Sequence, residues 1–281
     1  EDAVLYAAVP NVSRNLDEAY RTFLDGVAAS PVLSDWWSES VASQGADEKL
    51  AAVVDEVSEL GSYLGDELVV TMVMPPEADR APRGLVMART GDPQGLRDYL
   101  AGRIERLREA EGVDLSLRLV QTPSAATGEQ DGLLVWIHDG LVAASWQAEP
   151  LRQLALRRAA ESLEPVDTLF RQRIRRAYRD GVEWLMALDV ATMTQRARQA
   201  SQAEGDEAAK NSIALKLLGL ETAETVVTER KSTPIGTTHR AAISFSGKRA
   251  GLASVLARPA PIGSLELLSP ETGAAAAAAL R

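Results

Sequence analysis

His138 and His239 are the only imidazoles in a chain of 281 residues that has no cysteine. A general base, a nucleophilic dyad or a transition-metal site would have to be assembled around them or from carboxylates alone. His138 is followed by Asp139, the pairing a proton relay uses. Neighbours on a strand point to opposite faces, however, and Asp139-Gly140 is the preferred dipeptide for a type I′ hairpin turn, so the turn reading takes precedence. His239 falls in a polar, alternating stretch and reads as solvent-facing. Neither an H-E-x-x-H pattern nor an EF-hand loop occurs. Ser244-Phe245-Ser246-Gly247-Lys248 lacks the first glycine of G-x-S-x-G and the G-x-x-x-x-G-K spacing, and it reads as a strand running into a turn. No carboxylate pair stands out. The sequence therefore yields no assigned catalytic residue, metal ligand or cofactor-binding residue.

Binding chemistry is better represented. Arg152, Arg157, Arg158, Arg171, Arg173, Arg175, Arg176 and Arg179 fall on two adjacent helical segments of an otherwise acidic chain. Guanidinium groups present forked donors that grip carboxylate or phosphate. Their functional reading is a docking patch for an acidic partner or an anionic polymer, centred on Arg171 to Arg179. The competing reading is a solvated face whose arginines pair with Glu161, Glu164, Asp167 and Asp180. Trp36-Trp37 is the second candidate. Adjacent helix positions diverge by about 100 degrees, so one ring can pack while the other stays open to a partner.

Overall composition bounds the answer. Thirty Lys and Arg against 40 Asp and Glu give a net charge of −10, with 46% hydrophobic residues. This is globular composition, and its acidity opposes general nucleic-acid binding, which depends on clustered cations releasing counterions. No run of about 18 apolar residues occurs, so no helical membrane span is expected. The absence of cysteine leaves the redox compartment open. With Glu1 at its start and no signal-type apolar region, the chain reads as an excised or processed piece of a larger parent.

The elements that must position these residues follow from periodicity. Val4 to Val9 reads as a buried strand ending at Pro10. Helices follow on the stripes Val12, Leu16, Tyr20, Phe23, Val27 and then Leu50, Val53, Val54, Val57, Leu60, with a shorter one started by Ser30-Pro31 between them. Strands are expected at Glu67 to Met74, Gly84 to Arg89 and Ser116 to Val120, with a helix from Pro93 to Glu111. Leu133 to Ile137 and Leu141 to Trp146 flank Asp139-Gly140 as a hairpin. Helices at Glu149-Pro150 and near Asp167 precede a strand at Val182 to Leu188. A helix capped by Thr192 or Thr194 comes next, and Ile213, Leu215, Leu217 and Leu218 belong to a helix continuing beyond the polar Ser201 to Glu207 segment. Thr222 to Arg230 and Thr238 to Ser246 form a second hairpin, followed by a short helix through Leu252 and Val255. Strands at Ser264 to Leu268 and Ala274 to Leu280 complete the list.

The expected fold class is α+β, a mostly antiparallel, curved sheet with amphipathic helices packed against one face. Residues 1–181 form a first unit and 182–281 a second, smaller one that shares or extends the same sheet, or the whole is one domain. Val4-Leu5-Tyr6-Ala7-Ala8-Val9 echoes Trp184-Leu185-Met186-Ala187-Leu188-Asp189, and Leu85 to Arg89 echoes Ala277 to Arg281, as an internal duplication would.

The segment Ala3-Val4-Leu5-Tyr6-Ala7-Ala8-Val9-Pro10-Asn11, together with Ser30-Pro31-Val32-Leu33, Trp36-Trp37, Gly65-Asp66-Glu67-Leu68 and Pro261-Ile262-Gly263-Ser264-Leu265, resembles bacterial extracytoplasmic proteins of unknown function. Some of these carry an upstream FecR-like domain. The resemblance implies a periplasmic or other envelope location, with any anchor outside this chain, and no assigned activity. The function expected is a non-catalytic envelope module that associates with another envelope protein or with a neighbouring domain of its parent, without cofactor, nucleic acid or membrane span. A carrier of an apolar ligand held between sheet and helices, and a hydrolase, are the alternatives. An enclosed apolar cavity would favour the carrier, whereas a filled core with an open edge strand would favour association.

Overall fold

A computed structural model describes residues 3–75, 81–109, 117–125, 132–160, 167–201, 219–233 and 236–255. The described strands are β1 (Ala3–Pro10), β2 (Glu67–Val73), β3 (Arg83–Arg89), β4 (Leu117–Val120), β5 (Leu133–His138), β6 (Leu141–Ser145), β7 (Trp184–Asp189), β8 (Ala223–Thr233) and β9 (Gly236–Phe245). They form one sheet in the order β4-β5-β6-β3-β2-β1-β7-β8-β9. Every described pairing is antiparallel except β4 with β5. The α+β class is thus the one observed, and β7 extends the sheet of the first unit by pairing directly with β1.

The helices are α1 (Val12–Ala29), α2 (Pro31–Ser40), α3 (Ala46–Tyr63), α4 (Pro93–Glu109), α5 (Ala148–Ala159), α6 (Leu169–Arg179) and α7 (Val190–Ser201). The strand registers place Ala8, Val69, Met87, Ala143 and Trp136 in one row and therefore on one face. On that face α5 buries Leu151 against Leu134, Trp136 and Ala143, while α6 sets Ala177 against Ala8 and Leu185. Val135, Ile137 and Val142 point the other way and pack under Leu96 and Leu100 of α4. Helices thus cover both faces, which corrects the expectation of a single covered face. The reason lies in β5, where Leu134, Val135, Trp136 and Ile137 are all buried. A continuous apolar run is the mark of a strand covered on both sides.

Local chemistry sets the boundaries. Asp139 and Gly140 both have positive φ, 46° and 69°, as the β5–β6 hairpin turn requires. Asp92 Oδ1 accepts from the Gly95 N–H at 2.9 Å and starts α4. Helix α7 starts earlier than the threonine caps suggest: β7 runs straight into it, Asp189 Oδ1 accepts from the Thr192 N–H at 2.9 Å, and the Thr192 hydroxyl meets Asp189 as well. The short helix expected through Leu252 is a single 3-10 turn, Gly251–Ser254. The segments Ile213 to Leu218, Ser264 to Leu268 and Ala274 to Leu280 lie outside the described residues.

The chain order β1-(α1, α2, α3)-β2-β3 is matched by β7-(α7)-β8-β9, and the two strings meet antiparallel at β1 and β7. The strand echo from the sequence therefore joins topologically equivalent strands. Residue for residue it is off by one. Tyr6 pairs with Ala187, so Met186, its partner in the echo, faces the opposite side of the sheet. The second echo, at Ala277 to Arg281, falls outside the described residues.

Candidate functional site

Helix α6 carries five of the arginines singled out above. Thr168 caps it, its Oγ1 accepting from the Arg171 N–H at 3.2 Å. Phe170, Ile174 and Ala177 recur at helical spacing; Phe170 and Ala177 are buried, Ile174 and Ala177 pack toward Ala8 and Leu185, and Tyr178 at the margin is 38% exposed. Burial of that stripe forces Arg173, Arg175, Arg176 and Arg179 outward, where all four are exposed, while Arg171 is half-buried at the margin. Arg175 pairs with Asp167, and Arg176 lies 3.8 Å from Asp180. Part of the solvated-face reading is thus observed. Glu161 and Glu164 lie outside the described residues. Among the described residues, Arg173 and Arg179 have no ion-pair partner. Leu169 at the start of α6 is 61% exposed, so the basic surface has apolar ground beside its charges.

A hydrogen-bonded chain ties α6 down. Tyr178 donates to Glu67 Oε1 at 2.5 Å, and the Tyr6 and Tyr178 hydroxyls meet at 2.7 Å with the rings edge to face. Burial first, then the hydrogen bond to Glu67, raises the Tyr178 phenol well above its ordinary value. Burial likewise raises Tyr6. Both phenols stay protonated at neutral pH, which makes this chain a strut between α6 and strands β1 and β2.

Trp36 and Trp37 sit elsewhere. Helices α1 and α3 form an antiparallel pair, rooted where β1 ends and β2 begins, with α2 across its far end. At the root, Leu60, Tyr63 and Leu64 join the core beneath α4. There Tyr99 donates to Glu56 Oε1 at 2.8 Å, and Glu56 also pairs with Arg103. Burial and that hydrogen bond push the Tyr99 phenol up to about 12. At 18 residues, α1 carries the tip about 27 Å from the root. Trp37 packs edge to face on Phe23, with ring centroids 5.2 Å apart, and Trp36 stays 51% exposed. One ring packs while the other stays open, as the divergence of adjacent positions requires. The stripes on α1 to α3 are less buried than their periodicity implies. Val32 is 77% and Val53 58% exposed, and Phe23, Leu33 and Leu50 are exposed too. Arm and arginine helix are separate surfaces, because the root packs on the face of Val135 and Ile137 and α6 on the opposite one.

The histidines do not assemble a reactive centre with the described groups around them. His138 stacks on Trp136 at 5.4 Å, and its Nε2 lies 3.1 Å from Asp139 Oδ2. This contact corrects the expectation that the two side chains diverge: the left-handed backbone of Asp139 swings its carboxylate back toward the ring. Both are more than half exposed. His239 is exposed on β9, opposite Arg230. Ser244 Oγ meets Thr225 Oγ1 at 2.7 Å, a strand-to-strand contact. Among the described residues, no three His, Asp or Glu side chains converge to hold a metal ion.

Two open grooves are present. One, of about 430 Å³, is bordered by Thr194, Gln195, Arg198 and Glu221. The other, of about 500 Å³, is bordered by Ile104, Glu105, Leu117 and Leu119. Both open to solvent and mix polar with apolar walls. No described helix is long and apolar enough to cross a membrane. No protein-family model, curated protein or solved structure matches this chain.

Proposed function

We propose that this chain is a non-catalytic protein-association module of the bacterial cell envelope, and that the outer face of α6 is its docking surface for an acidic protein partner. The observation that carries this reading is the outward row of arginines in which Arg173 and Arg179 lack an ion-pair partner among the described residues, with exposed Leu169 at the start of the same helix. Charge supplies encounter rate and orientation, and the exposed Leu169 adds apolar area that helps sustain a complex. The envelope location rests on the resemblance at Ala3 to Asn11. The carrier alternative needs enclosed apolar volume, and the two described grooves are open.

Fluorescence anisotropy with a labelled amphipathic helical peptide, Glu on one face and Leu on the other, tests the surface. The peptide is expected to bind, and Arg173→Glu with Arg179→Glu is expected to weaken binding by about tenfold or more while leaving Tm unchanged. Equal binding by the double variant, or no binding by the wild type, would overturn the reading.

A further inference from the structure

The arm presents the complement of the α6 surface. Between Val12 and Tyr63 the chain has ten acidic side chains against Arg14, Arg21 and Lys49. Asp25, Asp35, Glu39 and Glu48 are exposed around the tip and form no ion pair with described residues. Among them stand the exposed Trp36, Val32, Leu33 and Val53. One surface of the molecule is therefore apolar and acidic, and another is apolar and basic. From the arm's root on one sheet face and α6 on the other, we infer that the arm tip of one copy docks on the α6 surface of a second copy of this chain. The sheet stands between the two surfaces within one molecule, so the contact is intermolecular. It joins unlike patches, which makes it heterologous, and it can propagate head to tail or close into a ring. An exposed Trp on a helical tip also suits a lipid surface, but the ring of carboxylates around it opposes approach to an anionic bilayer.

This inference rests on the docking surface proposed above and adds the identity of its occupant. The test is the weight-average mass of the whole chain by sedimentation velocity, from low micromolar to high micromolar concentration. The mass is expected to rise with concentration at low salt and to fall back in about 1 M salt, where the screening length is about 3 Å. Two exchange variants make it specific. Asp35→Lys with Glu39→Lys reverses the arm, and Arg173→Glu with Arg179→Glu reverses the helix. Each alone is expected to weaken self-association by about tenfold or more, because like charges then meet, and an equimolar mixture is expected to restore it. All substituted positions are exposed, and unchanged thermal melts certify that the variants fold.

A wild-type chain that stays monomeric throughout, or a mixture that does no better than its components, would overturn the inference. So would a monomer that floats with phosphatidylcholine vesicles through Trp36. If the acidic peptide binds α6 and the chain still stays monomeric, only the second-copy occupant falls. If the peptide also fails to bind, the docking surface falls with it.

Discussion

Gly61 fixes how the arm leaves the sheet, and adding one methyl group there tests that claim by sign. A Cβ on Gly61 would stand 2.9 Å from both the Cβ and the backbone nitrogen of Ser13, and 3.2 Å from its Cα. Carbon contacts settle at about 3.5–4.0 Å, so α1 and α3 would have to part by roughly 0.6–1 Å. The root resists this. The Asn11 N–H bonds Asp66 O at 2.8 Å, the Asn15 side chain donates to Pro10 O at 2.6 Å, and the Ser58 hydroxyl donates to Asp17 Oδ1 at 2.5 Å. Overpacking of this kind costs about 1–3 kcal/mol, whereas alanine in a helix gains at most about 1 kcal/mol over glycine. Gly61→Ala is therefore expected to lower stability by about 1 kcal/mol, which at this size lowers Tm by roughly 2–4 °C. Gly102 in α4 is the control. Nothing lies within 4 Å of its Cβ position, so Gly102→Ala should raise stability by about 0.5–1 kcal/mol. Paired thermal and urea melts followed by far-ultraviolet circular dichroism read both. If Gly61→Ala stabilises the protein as Gly102→Ala does, the close crossing of α1 and α3 is refuted.

Leu151→Ala empties a fully buried site among Leu134, Trp136 and Ala143 and should cost about 2–5 kcal/mol in a urea melt; a loss below about 1 kcal/mol would mean that α5 does not seal that face. The neutral Tyr99 phenol is favoured in the native state, so its stabilisation is complete below the ordinary tyrosine value near 10 and is lost as pH rises from about 10 to about 12. Phenolate absorbance should show late titration for Tyr6, Tyr99 and Tyr178, and Tyr99→Phe should remove one late group. A Tyr99→Phe variant whose phenolate titration curve matches that of the parent protein above pH 10 would contradict this.

The candidate residues divide the same way as the elements that hold them. The arginines of α6 were legible as a cluster of guanidinium groups on a helical segment of an otherwise acidic chain, and the structure adds that burial of Phe170 and Ala177 turns them outward. The acidic arm was not. Its stripes have the same period as a sheet-packed helix, and periodicity reports which side chains share a face, not what that face meets. A signal was present in the adjacent pairs Val32-Leu33 and Trp36-Trp37, which spread apolar surface too widely around a ten-residue helix for one neighbour to cover, and in the excess of carboxylates around them. The contact between His138 and Asp139 escaped for a similar reason. Strand alternation holds only while the backbone stays extended, and Asp139 at φ 46° has left the strand.

By itself the sequence determined what depends on neighbouring residues: the hairpin at Asp139-Gly140, the helix starts at Ser30-Pro31 and near Asp167, the strands that end at proline, and the α+β class that follows from alternating these elements. Backbone sterics and side-chain hydrogen bonds act over a few residues, and their outcome is written in the local order. Tertiary structure alone decided that β1 and β7 would meet inside one sheet, that helices would cover both faces, and that the arm would root on one face while the arginines of α6 line the other. Those outcomes depend on pairings between residues as far apart as Tyr6 and Ala187, and on which apolar surface finds another to exclude water, quantities that no local window of sequence contains.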